Sequence, residues 1–162
     1  MSKILNMLMA FVMSFGISGS NVNPSDIPEN SNFEVHFIDV GQADSALIEC
    51  DGETMMIDGG NVADSNVVAA YLKKEDVTEL NYVVCSHAHE DHVGGLSGAL
   101  SVTKADNIYA PKTKANTKAY KNFKKKAEEQ NVEIKHPNVG DEIQLGSSTV
   151  EFLGPVDENG KD

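Results

Sequence analysis

Apolar and polar positions alternate from Glu34 to Val40 (EVHFIDV), the period-two pattern of a half-buried strand. Further strands are expected from Ser45 to Cys50 and from Thr54 to Asp58. They are joined at Asp51-Gly52, a pair suited to the positive-φ backbone of a tight hairpin. Gly59-Gly60 ends the third strand. Asp64 or Ser65 can then cap a helix to Lys74, with Val67, Val68, Tyr71 and Leu72 as its apolar stripe. Asn81 to Cys85 (NYVVC) is almost wholly apolar, as expected of a strand covered on both faces. A short helix from Asp91 to Leu100, a strand from Asn107 to Ala110 and a Lys-rich amphipathic helix from Asn116 to Gln130 follow. Strands at Val132–Lys135, Glu142–Leu145 and Ser148–Leu153 complete the pattern. A strand meander, alternating helices and strands, and a closing hairpin predict an α+β domain with helices on the outer face of a sheet.

The N-terminus follows a different pattern. Lys3 precedes the apolar stretch Ile4 to Ile17, shorter than the ~20 residues that cross a bilayer. Residues 1–20 therefore read as a signal peptide, with an uncleaved anchor or a buried helix as alternatives. Residues 21–32, rich in Asn, Ser and Pro, read as a disordered linker, and 33–162 as the folded domain. The expected location is extracytoplasmic, secreted or membrane-tethered, with no stable membrane span in the mature form.

Charge narrows the set of partners. All thirteen basic residues are Lys, and the net charge is −12, which disfavours broad, non-specific binding to a polyanion. A phosphate-bearing substrate would need bound cations or a local Lys patch. Lys114, Lys118, Lys121 and Lys125 recur at helical spacing with Lys124 and Lys126 beside them; a solvated face is the plain reading and a DNA-contacting face the alternative. Cys50 and Cys85 end strands and read as small buried side chains, while export would permit a disulfide between them.

Three of the five histidines lie in the run His87-Ala88-His89-Glu90-Asp91-His92. Residues two apart in extended chain project to one side, so His87 and His89 can reach one ion together. Asp91 and His92 follow where the chain turns into a helix and can serve a second ion. Imidazole and carboxylate are the ligands of catalytic Zn²⁺ sites, in which an open position holds water.

The run Ser86-His87-Ala88-His89-Glu90-Asp91-His92-Val93-Gly94-Gly95 resembles the HxHxDH signature of the metallo-β-lactamase superfamily. Phe37-Ile38-Asp39-Val40-Gly41-Gln42-Ala43-Asp44-Ser45 and Ile57-Asp58-Gly59-Gly60 are similar to the extracytoplasmic domain of ComEC-type DNA-uptake proteins and their secreted stand-alone relatives. Ala43 stands where that family usually has Gly. The resemblance implies an αββα sandwich with one or two metal ions at the sheet edges. By position, His87 and His89 would bind the first metal and Asp91 and His92 the second. Asp58 would orient a ligand from beneath, and Asp44 would line the cleft or cap a helix. Zn²⁺ is the expected ion, with Mn²⁺ or Fe as alternatives.

Family members continue with a Gly-Asp element, whose carboxylate bridges the metals, and a His-His-Gly-Ser element. Neither occurs before Asp162, so the chain is expected to correspond to the first half of the sandwich. His136, before Pro137, is a weak substitute for the further histidine ligand. The resemblance favours a metal-dependent hydrolase of phosphodiester or nuclease type, with Asp91 as catalytic residue and DNA or another phosphodiester as substrate. A non-catalytic metal-binding or interaction module is the alternative.

Overall fold

The computed structural model describes residues 32–154; the signal-peptide or anchor reading of 1–20, the linker 21–31 and the last eight residues lie outside them. Three strands open the domain: β1 (Phe33–Phe37), β2 (Ala46–Cys50) and β3 (Glu53–Ile57). The β2–β3 turn forms at Asp51 (φ 51) and Gly52 (φ 87), the conformation predicted from the Asp-Gly pair. A 3₁₀ turn at Val62–Asp64 leads into α1 (Ser65–Lys74), followed by β4 (Glu79–Val84), α2 (Glu90–Val93), α3 (Leu96–Val102), β5 (Lys104–Tyr109) and α4 (Lys118–Glu129). The chain then forms β6 (Ile134–Lys135) and the hairpin β7 (Glu142–Leu145) and β8 (Ser148–Glu151). Among the described residues, no helix is long and apolar enough to cross a membrane.

The first six strands form one sheet in sequence order. β1, β2 and β3 pair antiparallel, whereas β3–β4, β4–β5 and β5–β6 pair parallel. The C-terminal ends of β3, β4, β5 and β6 therefore share one edge, the edge at which open α/β sheets place ligand-binding loops.

Alternation along the strands sorts the core into two layers. Leu47, Met56, Val83 and Ile108 face the helices, where they pack with Val68, Leu72, Leu96 and Phe123. Ile48, Cys50, Met55, Ile57 and Val84 face the other way and are covered by Leu145, Val150 and Phe152 from the β7–β8 hairpin. Full burial of each large apolar side chain contributes about 1.5–3 kcal/mol, which explains why β4 is apolar on both sides. The layers run helix, sheet, second sheet. The described residues thus form the first three layers of the expected sandwich.

The helix predicted from Asp91 to Leu100 is divided into α2 and α3. Gly95 donates its N–H to the Gly60 carbonyl (3.1 Å) instead of to a carbonyl of its own helix. A Cβ on Gly95 would lie 1.8 Å from the Gly59 carbonyl oxygen, and one on Gly94 would lie 2.3 Å from the Val62 nitrogen. The two glycines allow the backbone of this segment to dock on the loop after β3. Val67, assigned to the apolar stripe of α1, is 46% exposed, whereas Val68 and Leu72 are fully buried.

Cys50 and Cys85 are free and buried, and they lie on opposite faces of the sheet, which removes the disulfide alternative. Burial, with the charge of Asp58 adding to it, pushes the Cys85 thiol well above its ordinary range. Neither thiol should react with a thiol-specific chromogenic reagent in native buffer, and both should titrate after denaturation. Gly95→Ala should cost about 1–3 kcal/mol or more in urea unfolding. Gly154→Ala, where a Cβ meets nothing, should fall within about 0.5 kcal/mol of the parent.

Candidate metal centre at the ends of strands β3 and β4

β4 is buried and ends at Val84, and the chain passes through Cys85 and Ser86 into the histidine run. His89 occupies the N-cap position of α2 with extended backbone (φ −68, ψ 152), and its carbonyl accepts from the N–H groups of His92 (3.2 Å) and Val93 (3.0 Å). One turn of helix therefore carries Asp91 and His92 back toward His87. The ring centroids of His87 and His92 are 3.9 Å apart, and those of His87 and His89 are 4.7 Å apart. His89 is exposed; His87, Asp91 and His92 are half-buried.

Asp58 lies beneath the rings. It is only 3% exposed and has a left-handed backbone (φ 54), a conformation that Asp tolerates better than most residues. Its N–H donates to the Val84 carbonyl (2.9 Å), which carries the β3–β4 pairing one residue past β3. Its own carbonyl accepts from the Ser45 hydroxyl (3.3 Å). The carboxylate accepts from the Ser86 N–H (2.8 Å), from the Ser86 hydroxyl in a short bond, and from His92 Nδ1 (2.8 Å). With Nδ1 committed as the donor, Nε2 is the ring nitrogen that His92 has left for a metal.

Burial opposes the charged form of His92. The hydrogen bond and charge of Asp58, with the charges of Asp91 and Asp44, outweigh it, so the pKa of His92 is raised. Asp91 Oδ2 is 3.8 Å from His92 Nε2. Two tetrahedral ligands of Zn²⁺ at 2.0–2.1 Å would be about 3.4 Å apart, so a small side-chain movement brings this pair onto one ion. Asp44 is on the rim: its carboxylate is 3.8 Å from His92 Nδ1 and largely exposed, and its backbone carbonyl accepts from the Gly60 N–H (2.9 Å).

The donor chemistry fits a divalent ion, with three imidazoles and a carboxylate on one loop. Among the described residues, however, no three His, Cys, Asp or Glu side chains are disposed to hold a single ion. The close approaches on the loop run from His92 to the His87 ring (3.9 Å between centroids) and to the Asp91 carboxylate (3.8 Å), with His89 standing 4.7 Å from His87. The ring of His136 donates from Nδ1 to the Ala110 carbonyl (2.8 Å), in the loop after β6.

Sequence reasoning passed over three groups. Ser86 bridges Asp58 to the imidazoles, with Oγ 3.0 Å from His87 Nδ1 and 3.4 Å from His92 Nδ1. Cys85 Sγ donates to the His87 carbonyl (3.1 Å). Glu90 Oε1 accepts the Val62 N–H (2.9 Å) and ties α2 to the loop after β3. The position of Ser86, between the buried strand and the first histidine, was the available signal for the first of these.

Residues 38–158 match the sequence profile of the metallo-beta-lactamase superfamily. The chain belongs to that superfamily. It is 24% identical over 144 residues to ComE operon protein 3 of Bacillus subtilis (strain 168), an alignment covering 78% of this chain and 19% of that protein. Its fold is similar to a HARLDQ-motif metallo-β-lactamase mutant, S60, of Cronobacter sakazakii (TM-score 0.55, 17% identity), covering 72% of this chain and 48% of that one. SMB-1 bound to 2-mercaptoethanesulfonate (TM-score 0.54, 21% identity) gives coverage of 72% and 49%. MEM-A1, a subclass B3 metallo-β-lactamase from a soil metagenome library, gives a TM-score of 0.54 at 18% identity, with coverage of 72% and 48%. The chain thus spans about half the length of these metallo-β-lactamases and a fifth of the curated relative.

Asp58→Asn keeps the shape of the side chain and removes the charge that orients His92. Zinc affinity measured by chelator competition should fall about 10–100-fold, while Asp44→Asn, on the exposed rim, should change it far less.

Proposed function

We propose that this chain carries the metal-binding half-site of a metal-dependent hydrolase that acts on phosphodiesters, outside the cytoplasm and in a role allied to DNA uptake. The observation that carries the reading is the His92–Asp58 bond. It fixes one imidazole by a buried carboxylate while His87 and His89 stand beside it on an open loop. Oriented imidazoles at a sheet edge suit a hydrolytic centre better than a structural one, because the outer side of His89 and Asp91 stays open to a substrate.

Zn²⁺ bound here would supply a Lewis acid and, by lowering the pKa of water from 15.7 to about 7, a nucleophile at neutral pH. His87 and His89 would hold one ion, and Asp91 and His92 a second. Asp91, half exposed beside His92 Nε2, would accept and release the proton of the attacking water. Asp58 holds the His92 tautomer, and Ser86 keeps the Asp58 carboxylate in place. The phosphodiester preference draws on the resemblance of the sequence motifs to ComEC-type DNA-uptake proteins; β-lactam, thioester and lactone hydrolysis use the same ligand types.

A second reading is favoured by the absence, among the described residues, of three donors disposed for one ion. On that reading the chain is a non-catalytic metal-binding or interaction module. Metal content and activity separate the two. Joined to a second half that supplies the Gly-Asp and His-His-Gly-Ser elements, the zinc- or manganese-loaded protein should hydrolyse bis-p-nitrophenyl phosphate and lose that activity on chelation. His89→Ala and Asp91→Ala should each reduce it at least about 100-fold. Stoichiometric metal binding with no turnover of phosphodiester, β-lactam, thioester or lactone would establish the module.

A further inference from the structure

The loop after β5 brings Lys112 and Thr113 to the same sheet edge as the histidine run, one strand further along. There they line a cavity of about 200 Å³ with Tyr120 and Lys124 of α4, Ile134 of β6, and His136. Although the chain carries a net charge of −12, no carboxylate lines this cavity. The larger groove between α1, α3 and α4 has three lysines, but Glu129 also lines it and pairs with two of them, Lys126 at 2.8 Å and Lys125 at 3.7 Å. One carboxylate thus competes there with any anion for two of the three lysines.

Each wall of the smaller cavity is held by the fold. The Lys124 ammonium lies 5.4 Å from the centre of the Tyr120 ring, a cation–π contact that keeps the charge at the cavity. Tyr120 is nearly buried in the same apolar cluster as Cys85, the residue two places before His87. The cavity thus rests on the core layer that also carries the start of the histidine run. Because the Ala110 carbonyl can only accept, His136 Nδ1 is the donor of that bond, leaving Nε2 as the ring's second polar group.

We propose that this cavity is a phosphate-binding subsite, with Lys112 and Lys124 as the cationic groups and the Thr113 hydroxyl and His136 as hydrogen-bonding walls. Two ammonium groups without a competing carboxylate suit a tetrahedral oxyanion, and the volume admits one phosphate with its waters. The phosphate is either a free or nucleotide phosphate, or one link of a nucleic-acid backbone running past the histidines. The site needs no metal; it rests on the phosphodiester reading only for the identity of that carrier.

The experiment uses the intact chain in EDTA at low ionic strength, so that failure of the metal centre cannot affect the result. Inorganic phosphate, thymidine 5′-monophosphate and a short oligothymidylate are titrated while amide and side-chain shifts are followed by NMR. Shifts should centre on Lys112, Thr113, Lys124 and His136, and Lys112→Gln/Lys124→Gln should weaken binding at least about tenfold. Lys73→Gln/Lys125→Gln, in the larger groove, should leave it within about twofold at matched ionic strength. Tighter binding of the oligonucleotide, with a steeper salt dependence, assigns the site to a backbone; equal binding of the three assigns it to free phosphate. Both results uphold the subsite. No saturable shift at these residues, or equal loss in the two double variants with both folded by circular dichroism, overturns it.

Discussion

A single buried carboxylate organises the metal edge of this protein. Leaving the Asp58 charge in an apolar core without partners would cost several kcal/mol. It is met by the Ser86 N–H, the Ser86 hydroxyl and the His92 ring. Those partners come from the end of β4 and from α2, so satisfying one charge draws three parts of the chain together. The left-handed backbone at Asp58 and the bare glycines at 59, 94 and 95 are consequences of the same demand. They let the loops approach closely enough for the bonds to form.

Around that centre, the parallel half of the sheet sets out the chemistry in order. The end of β3 delivers the orienting carboxylate, the end of β4 the imidazoles, and the end of β5 the first cationic side chains of the Lys-rich stretch. A strongly acidic molecule can present a favourable potential to an anion only locally. The lysines that matter are those with no acidic neighbour, and the helix α4 divides its own set accordingly. Lys125 and Lys126 are paired with Glu129, while Lys124 rests on an aromatic ring.

Much of this was legible in the sequence because the relevant signals are local. The Asp51-Gly52 turn, the doubly covered strand through Val83 and Val84, and the spacing of His87, His89 and His92 depend on near neighbours. The capping of α4 by Thr117, whose hydroxyl accepts the Tyr120 N–H, is equally local, although it starts the helix at Lys118 and not at the expected Asn116. What escaped notice depends on contacts between distant segments. The break between α2 and α3 is imposed by Gly60, and the exposure of Val67 follows from which way α1 is rolled onto the sheet. Periodicity could not tell Val67 from Val68. Ser86 and Tyr120 acquire their roles only when β3 and α4 are brought beside the histidine run.

The contrast between local and distant contacts also bears on how an ion would act on folding. All four candidate ligands fall within a six-residue stretch, yet the carboxylate that orients them is 34 positions away from His92. A denatured chain therefore retains a short, loosely organised chelating peptide and loses only its support. Metal held by that peptide partly offsets what the native state gains, so the melting temperature would rise less than the native affinity alone implies. The gain that survives is the fraction contributed by Asp58, which makes the stabilising effect of the ion a measure of preorganisation and not of ligand count.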